Sequence, residues 1–186
     1  MRRGLFGKLA VQNIRNNRST YIPYMLTCIF CIAMMYMMEF LRDCPTLEKA
    51  VPQASEVRMI VGTGEVVVGI FCVIFLIYSN SFLMKRRQKE IGLYNILGME
   101  KRHIAVMMFF ENVFVFITVF VSGMILGMVF SKLMFLILMK MIAVSSVPKF
   151  QMEMTSVFMT GGYFLAIYFV TFLYNLCKIH LSNPVE

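Results

Sequence analysis

The chain has 186 residues, 59% of them hydrophobic and only 15% charged, with a mean hydropathy of +0.74. A soluble domain is about 45–50% apolar and about 25% charged, so this composition argues against a water-soluble fold and names lipid as the expected solvent. The formal net charge is +8, but the basic residues gather at the ends of apolar runs; this is the positive-inside distribution of a membrane protein, and nucleic-acid binding is not expected.

The lead, residues 1–19, carries Arg2, Arg3, Lys8, Arg15 and Arg18 and no acid. Leu5, Phe6, Leu9 and Ile14 fall near one helical side, which suits either an amphipathic helix on the inner membrane surface or a simple basic anchor. The first apolar span is YIPYMLTCIFCIAMMYMMEF, Tyr21–Phe40. Its basic lead is long, its apolar run exceeds a signal-peptide core and no small-x-small cleavage site follows, so it reads as a retained helix. Cys28 and Cys31 form a CxxC inside this run, where cysteine acts as a small hydrophobe rather than a redox or zinc ligand. No metal site is expected: the histidines, His103 and His180, stand far apart. Met34, Met35, Met37 and Met38 read as lipid contacts.

The first connection, residues 41–65, balances Arg42, Lys49 and Arg58 against Asp43, Glu48 and Glu56 and contains Pro45 and Pro52. It is too short for a domain. The second span, Val66–Met84, ends on the collar Lys85-Arg86-Arg87, which suits inner headgroups. Gln88 to Leu97 continues at helical spacing, with Ile91, Tyr94 and Leu97 on one side and Leu93 and Ile96 adjoining. Gly98 suits a helix stop, because glycine takes the left-handed conformation cheaply. Two readings stay open on the residues alone: an interfacial helix resting on lipid, or a docking knob for a cytoplasmic partner.

The third span begins near Asn112 and belongs to a long apolar stretch, Ile104–Val144, from which Lys132 would snorkel. Gly123, Gly127 and Ser131 give small-xxx-small spacing, which lets helices approach closely in lipid. The fourth span is roughly Val157–Cys177. Glu39, Glu65 and Glu111 lie near span ends and are expected at interface positions. Catalysis at membrane depth would want clustered polar residues, and the chain contains no phosphate-binding GxxxxGK[ST] motif; no catalytic residue and no cofactor are expected. The basic residues place the N-terminus and the second connection in the cytoplasm, and four spans return the C-terminus there.

The run KRRQKEIGLYNILGMEKRHI, residues 85–104, resembles the cytoplasmic loop of FtsX-like ABC transporter permeases. Their pattern of basic residues, Glu-Ile-Gly, an apolar pair, Leu-Gly and a basic cluster falls here on Arg86, Arg87, Glu90, Ile91, Gly92, Leu93, Ile96, Leu97, Gly98, Lys101 and Arg102. Met99-Glu100 stands where many members carry a small or hydroxyl residue. Glu111 resembles the acid near the start of the family's third helix. The wording of the lead and of Tyr94–Arg102 is similar to the bacitracin-export branch of peptide-antibiotic permeases.

The resemblance implies an all-α membrane protein with four transmembrane helices near 21–41, 64–84, 108–138 and 156–177, and with both termini cytoplasmic. The four-helix unit would occupy 20–177, with a cytoplasmic coupling loop at 85–103 and a cytoplasmic linker at 178–186. It implies that Arg86, Arg87, Lys89, Glu90, Ile91, Gly92, Leu93, Tyr94, Ile96, Leu97 and Gly98 meet a separate cytoplasmic ATPase that binds ATP and Mg²⁺. Ile91, Leu93, Tyr94 and Leu97 would make the main apolar contact, with Arg86, Arg87, Lys89 and Glu90 steering. The implied activity is export of, or resistance to, peptide antibiotics at the bacterial plasma membrane. Members of the branch are longer, so the expected context is a second permease half or a truncated, inactive permease. An accessory protein that binds a sensor histidine kinase is the alternative.

Overall fold

The computed structural model describes residues 12, 17–44, 54–96, 98, 101–141 and 154–181. Most of the lead, most of the first and third connections and residues 182–186 lie outside the described residues, as do the side chains of Lys89, Ile91, Tyr94 and Leu97. The expectations placed on those positions go with them.

Four α-helices make up the described chain, and no strand occurs among the described residues: α1 Arg18–Asp43, α2 Ala54–Ile96, α3 Lys101–Met141 and α4 Met154–Leu181. Each contains a stretch long and apolar enough to cross a membrane: Arg18–Asp43, Ser55–Gln88, Val106–Met141 and Met154–Leu173. Valine, isoleucine and phenylalanine are frequent in these runs, yet the runs are helical. In lipid every backbone N–H and C=O must be satisfied within the segment, and that requirement overrides the modest propensities of branched residues.

The helices outrun the spans. α2 has 43 residues, about 65 Å at ~1.5 Å per residue, against a hydrocarbon core of about 30 Å. It begins at Ala54, ahead of the expected 64, and runs through the basic collar to Ile96 without a break. Residues 85–96, assigned to the coupling loop with helical spacing expected from Gln88, are the last turns of the same helix as the second span. The reason is local: KRRQKEIGLYNI is built from good helix formers, has no proline, and carries one glycine at a cost of about 1 kcal/mol. Gly98 then turns the chain, with φ of 81°, before α3 starts at Lys101.

The helices build two compact units. The first takes α1 up to Thr27, α2 from Phe75, α3 up to Val119 and α4 from Ala166. Its core holds Tyr21, Tyr24, Leu83, Met84, Met107 and Val115. Phe116 meets Tyr168 edge-on at 4.9 Å between ring centres, and the Tyr24 and Tyr168 hydroxyls are 3.1 Å apart.

The second takes α1 from Cys28, α2 up to Ile74, α3 from Phe120 and α4 up to Leu165. Here α1 and α3 touch backbone to backbone. A Cβ on Gly123 would lie 2.8 Å from Ile32 Cβ, and one on Gly127 would lie 3.1 Å from Tyr36 Cβ and 3.2 Å from Ala33 Cα. Ile32 and Tyr36 are one turn apart, as are Gly123 and Gly127, so two successive side chains of α1 fill two gaps on α3. Ser131, one turn further on, is fully buried, and its hydroxyl donates to the Met128 carbonyl at 3.0 Å. Phe40 packs edge-on against Phe135 at 6.3 Å. Met34 is exposed, whereas Met35 is buried and reaches α2 opposite Gly69. Cys28 and Cys31 are buried as well.

Outward faces are apolar. Ile22, Leu26, Phe30 and Met34 form one exposed stripe on α1, and Val66, Ile70, Ile74 and Ile77 another on α2; lipid is their solvent. Lys132 is exposed. The three acids expected near the membrane interface are enclosed by protein. Glu39, Glu65 and Glu111 are 1%, 6% and 1% exposed, and each is held by an arginine. An ionised carboxylate buried among apolar side chains without a partner would cost several kcal/mol, and the arginines supply that partner.

Candidate functional site

The candidate site is the C-terminal part of α2 and the side chains that hold its base. Buried positions on this stretch follow one helical face: Leu76, Asn80, Leu83, Met84 and Arg87. The spacing of three and four residues carries Arg87 inward, although its neighbours Lys85, Arg86 and Gln88 are exposed.

Arg87 forms an ion pair with Glu111 of α3, and the two side chains are 6% and 2% exposed. The Tyr21 hydroxyl on α1 donates to the other Glu111 oxygen, Oε1, at 2.5 Å. The Arg87 guanidinium also lies 5.7 Å from the centre of the Tyr21 ring. One turn along α2, Glu90 accepts a hydrogen bond from Asn17 Nδ2 at 2.7 Å, and its second oxygen is 3.9 Å from Arg87 Nε. Arg86 lies on the surface, with its guanidinium 4.9 Å from the Phe82 ring centre and 3.4 Å from Thr20 Oγ1. Three helices are thus tied where α2 leaves its apolar span. The bonds to Glu111 are charge-assisted and buried, and such bonds are stronger than neutral or exposed ones.

Beyond this network the α2 surface turns apolar again. Leu93 is 56% exposed and Ile96 84%. Gly92 is half-buried, and Gly98 is exposed. Isolated apolar side chains on a surface need no explanation. Leu93 and Ile96 are two such side chains near the end of a helix held at its base by the buried Arg87–Glu111 pair.

The expected site residues therefore divide. Arg86, Leu93 and Ile96 lie on the surface. Glu90 is half-buried and bound to Asn17. Arg87 leaves the surface set assigned to it: its guanidinium is turned inward and committed to Glu111. Gly123, Gly127 and Ser131 belong to the second unit. Sequence reasoning passed over Asn17 and Tyr21. The available signal was Glu111, an acid inside an apolar run, because an intramembrane acid calls for a partner.

The family described as FtsX-like permease C-terminal matches residues 65–184. Over 179 residues the chain is 27% identical to an uncharacterized ABC transporter permease, YvcS, of Bacillus subtilis, covering 96% of this chain and 28% of that one. It is 27% identical over 168 residues to the bacitracin export permease protein BceB of the same organism, covering 90% of this chain and 26% of that one. BceB of Halalkalibacterium halodurans is 26% identical, with the same two coverages of 90% and 26%. The chain thus spans little more than a quarter of the length of these relatives. Four apolar helices and this family make it a multi-pass protein of the cytoplasmic membrane. With well over half of its 186 residues matched, from Glu65 in α2 through α3 and α4, the chain belongs to the FtsX-like permease family of ABC transporters.

Proposed function

We propose that this chain is the membrane part of an ABC transporter, and that a separate cytoplasmic ATPase docks on the end of α2. Leu93 and Ile96 contribute to the docking surface, together with Ile91, Tyr94 and Leu97; Arg86 and Lys89 supply the surrounding positive charge. ATP and Mg²⁺ belong to the ATPase. The basic residues put this end of α2, and both termini, in the cytoplasm.

The observation that carries the reading is the continuity of α2. A membrane helix with no break between its apolar span and its exposed tip transmits displacement of the tip to the span. Arg87 and Glu90 are the points at which the movement leaves α2: Arg87 pulls on Glu111 of α3, and through Glu111 on Tyr21 of α1, while Glu90 pulls on Asn17. The bacitracin export permeases among its relatives support peptide antibiotics as the substances handled, with resistance as the outcome. A second permease half completes the transporter in this reading, and a sensor kinase is a further partner.

The test is capture of the ATPase encoded beside this chain by the detergent-solubilised protein, wild type against Ile96→Asp and Ile91→Asp. A buried apolar hot spot is worth about 2 kcal/mol or more, roughly thirtyfold in affinity. Loss of capture in the variants, with unchanged thermal stability, supports docking at this tip. Equal capture by wild type and both variants places the ATPase elsewhere and refutes it.

A further inference from the structure

In the first unit α2 presents a second exposed face, above the Leu93–Ile96 end. Phe75, Tyr78 and Phe82 are exposed and follow one another at spacings of three and four residues. Lys85 and Arg86, also exposed, stand three and four residues beyond Phe82. At about 100° per residue these five positions fall within an arc of about 100°. One side of the helix is therefore aromatic for three turns and then basic.

Arg86 is aimed along this face. Its guanidinium folds back one turn, 4.9 Å from the Phe82 ring centre, and its Nη1 is 3.4 Å from Thr20 Oγ1 of α1. Arg87 is committed to Glu111 and Glu90, whereas neither Lys85 nor Arg86 has a carboxylate partner among the described residues. A guanidinium has five N–H donors, so contact with one ring and one hydroxyl leaves donors for an anion. Length then selects the kind of anion. Eleven positions separate Phe75 from Arg86, about 16 Å at ~1.5 Å per residue. Half of a ~30 Å hydrocarbon core is about 15 Å. When an acyl chain lies along the three rings, its phosphate is level with the two cations. A free phosphate would use the cations and not the rings, and an uncharged lipid the rings and not the cations.

We propose that this face of α2 binds one anionic phospholipid. Arg86 and Lys85 hold the phosphate, and an acyl chain lies on Phe82, Tyr78 and Phe75. Arginine offers a planar fork that matches phosphate oxygens. Phe82 and Thr20 restrict its side chain beforehand, so less freedom is lost on binding. Because Thr20 belongs to α1, two helices build the headgroup end of the site. The assignment stands apart from ATPase docking, and it holds for either leaflet, so it does not depend on the orientation of the chain.

Native mass spectrometry of the protein released from lipid nanodiscs tests it. The nanodiscs hold equal amounts of phosphatidylglycerol and phosphatidylcholine with identical acyl chains. The expected result is one phosphatidylglycerol retained in preference to phosphatidylcholine. Lys85→Gln and Arg86→Gln should each lower that preference, roughly fivefold per cation removed, and Phe82→Leu should lower it less. Arg58→Gln, which removes an exposed cation near the other end of α2, should leave it unchanged. Equal retention of the two lipids by the wild type overturns the site. So does a preference that survives loss of both cations, or an equal loss in Arg58→Gln, which would reduce the effect to net charge. Displacement of the lipid by excess inorganic phosphate would make this an anion site that does not use the rings, and overturns it as well. The wild-type comparison needs no variant, so a misfolded mutant does not rescue the proposal.

Discussion

Arg87 and Glu111 pair inside the protein, joining α2 to α3 with side-chain exposures of 6% and 2%. Only Glu111 hints at this in the sequence. Arg87 is the third member of a basic collar, and Glu111 begins a polar step in a long apolar run. Their pairing ties α2 to α3 within the first unit.

The pair predicts an asymmetry between single and double substitution. Removing one member of a buried ion pair strands the other charge and costs about 3–5 kcal/mol, whereas replacing both with apolar residues of similar volume is often neutral. Glu111→Leu alone should therefore lower stability strongly, and Arg87→Met added to it should recover most of the loss. Thermal or denaturant unfolding in detergent, arranged as a double-mutant cycle, measures this. Additive losses would show that the two charges do not depend on each other.

Tyr21 gives a smaller, more local test. Its hydroxyl donates to an ionised acceptor, and such bonds contribute about 1.5–3 kcal/mol. Tyr21→Phe keeps the ring beneath Arg87 and removes only the donor. A loss in that range is expected. Arg86→Ala, on the surface beside Phe82, should cost about 1 kcal/mol or less. The same unfolding measurement reads both, and a larger effect at Arg86 would invert the assignment of which arginine holds the helix.

How much of this was legible in the sequence depends on whether a feature is local. The four spans were legible, because about 20 apolar residues in a row have few alternatives. The spacing of Gly123 and Gly127 was legible too, but their partners, Ile32 and Tyr36, lie about ninety positions back in another helix. The C-terminal continuation of α2 was legible in the helical spacing from Gln88 and in Gly98, but its start was not: residues 54–63 are too polar to read as membrane, and nothing in a hydropathy pattern says that a helix begins ten residues before its apolar span. Nor was the inward turn of Arg87. Within Lys85-Arg86-Arg87 only the direction of each side chain separates an anchor from a buried ion, and that direction is set by α1 and α3. The enclosure of Glu39 and Glu65 was not legible for the same reason: Arg42 follows Glu39 by three residues, but Glu65 comes from the next helix.

The α1–α3 contact predicts a graded response among glycines. Gly123→Ala would drive a Cβ to 2.8 Å from Ile32 Cβ, and Gly127→Ala to 3.2 Å from a backbone atom, Ala33 Cα. Neither neighbour is the loose end of a long side chain, so the helices must part, at about 1–3 kcal/mol each. Nothing lies within 4 Å of a Cβ built on Gly162. Gly162→Ala should be neutral or stabilising by up to about 1 kcal/mol from helix propensity. Equal melting temperatures for all three variants would mean that α1 and α3 do not pack through these glycines.

The proposed orientation yields the last prediction. α2 carries Ser55 in its first turn and Ile96 at its end, both exposed, and its apolar span lies between them. Cysteines placed at these two positions should react from different sides of the membrane. With Cys177 replaced by serine, Cys28, Cys31, Cys44 and Cys72 remain, and burial slows their reaction. An impermeant maleimide added to intact cells should label Ser55→Cys, and should reach Ile96→Cys only after the membrane is opened. The docking proposal requires this pattern, because an ATPase in the cytoplasm meets only what lies on that side. The reverse pattern would put Leu93 and Ile96 outside, and the end of α2 would then be an extracellular contact surface with no access to nucleotide-driven motion.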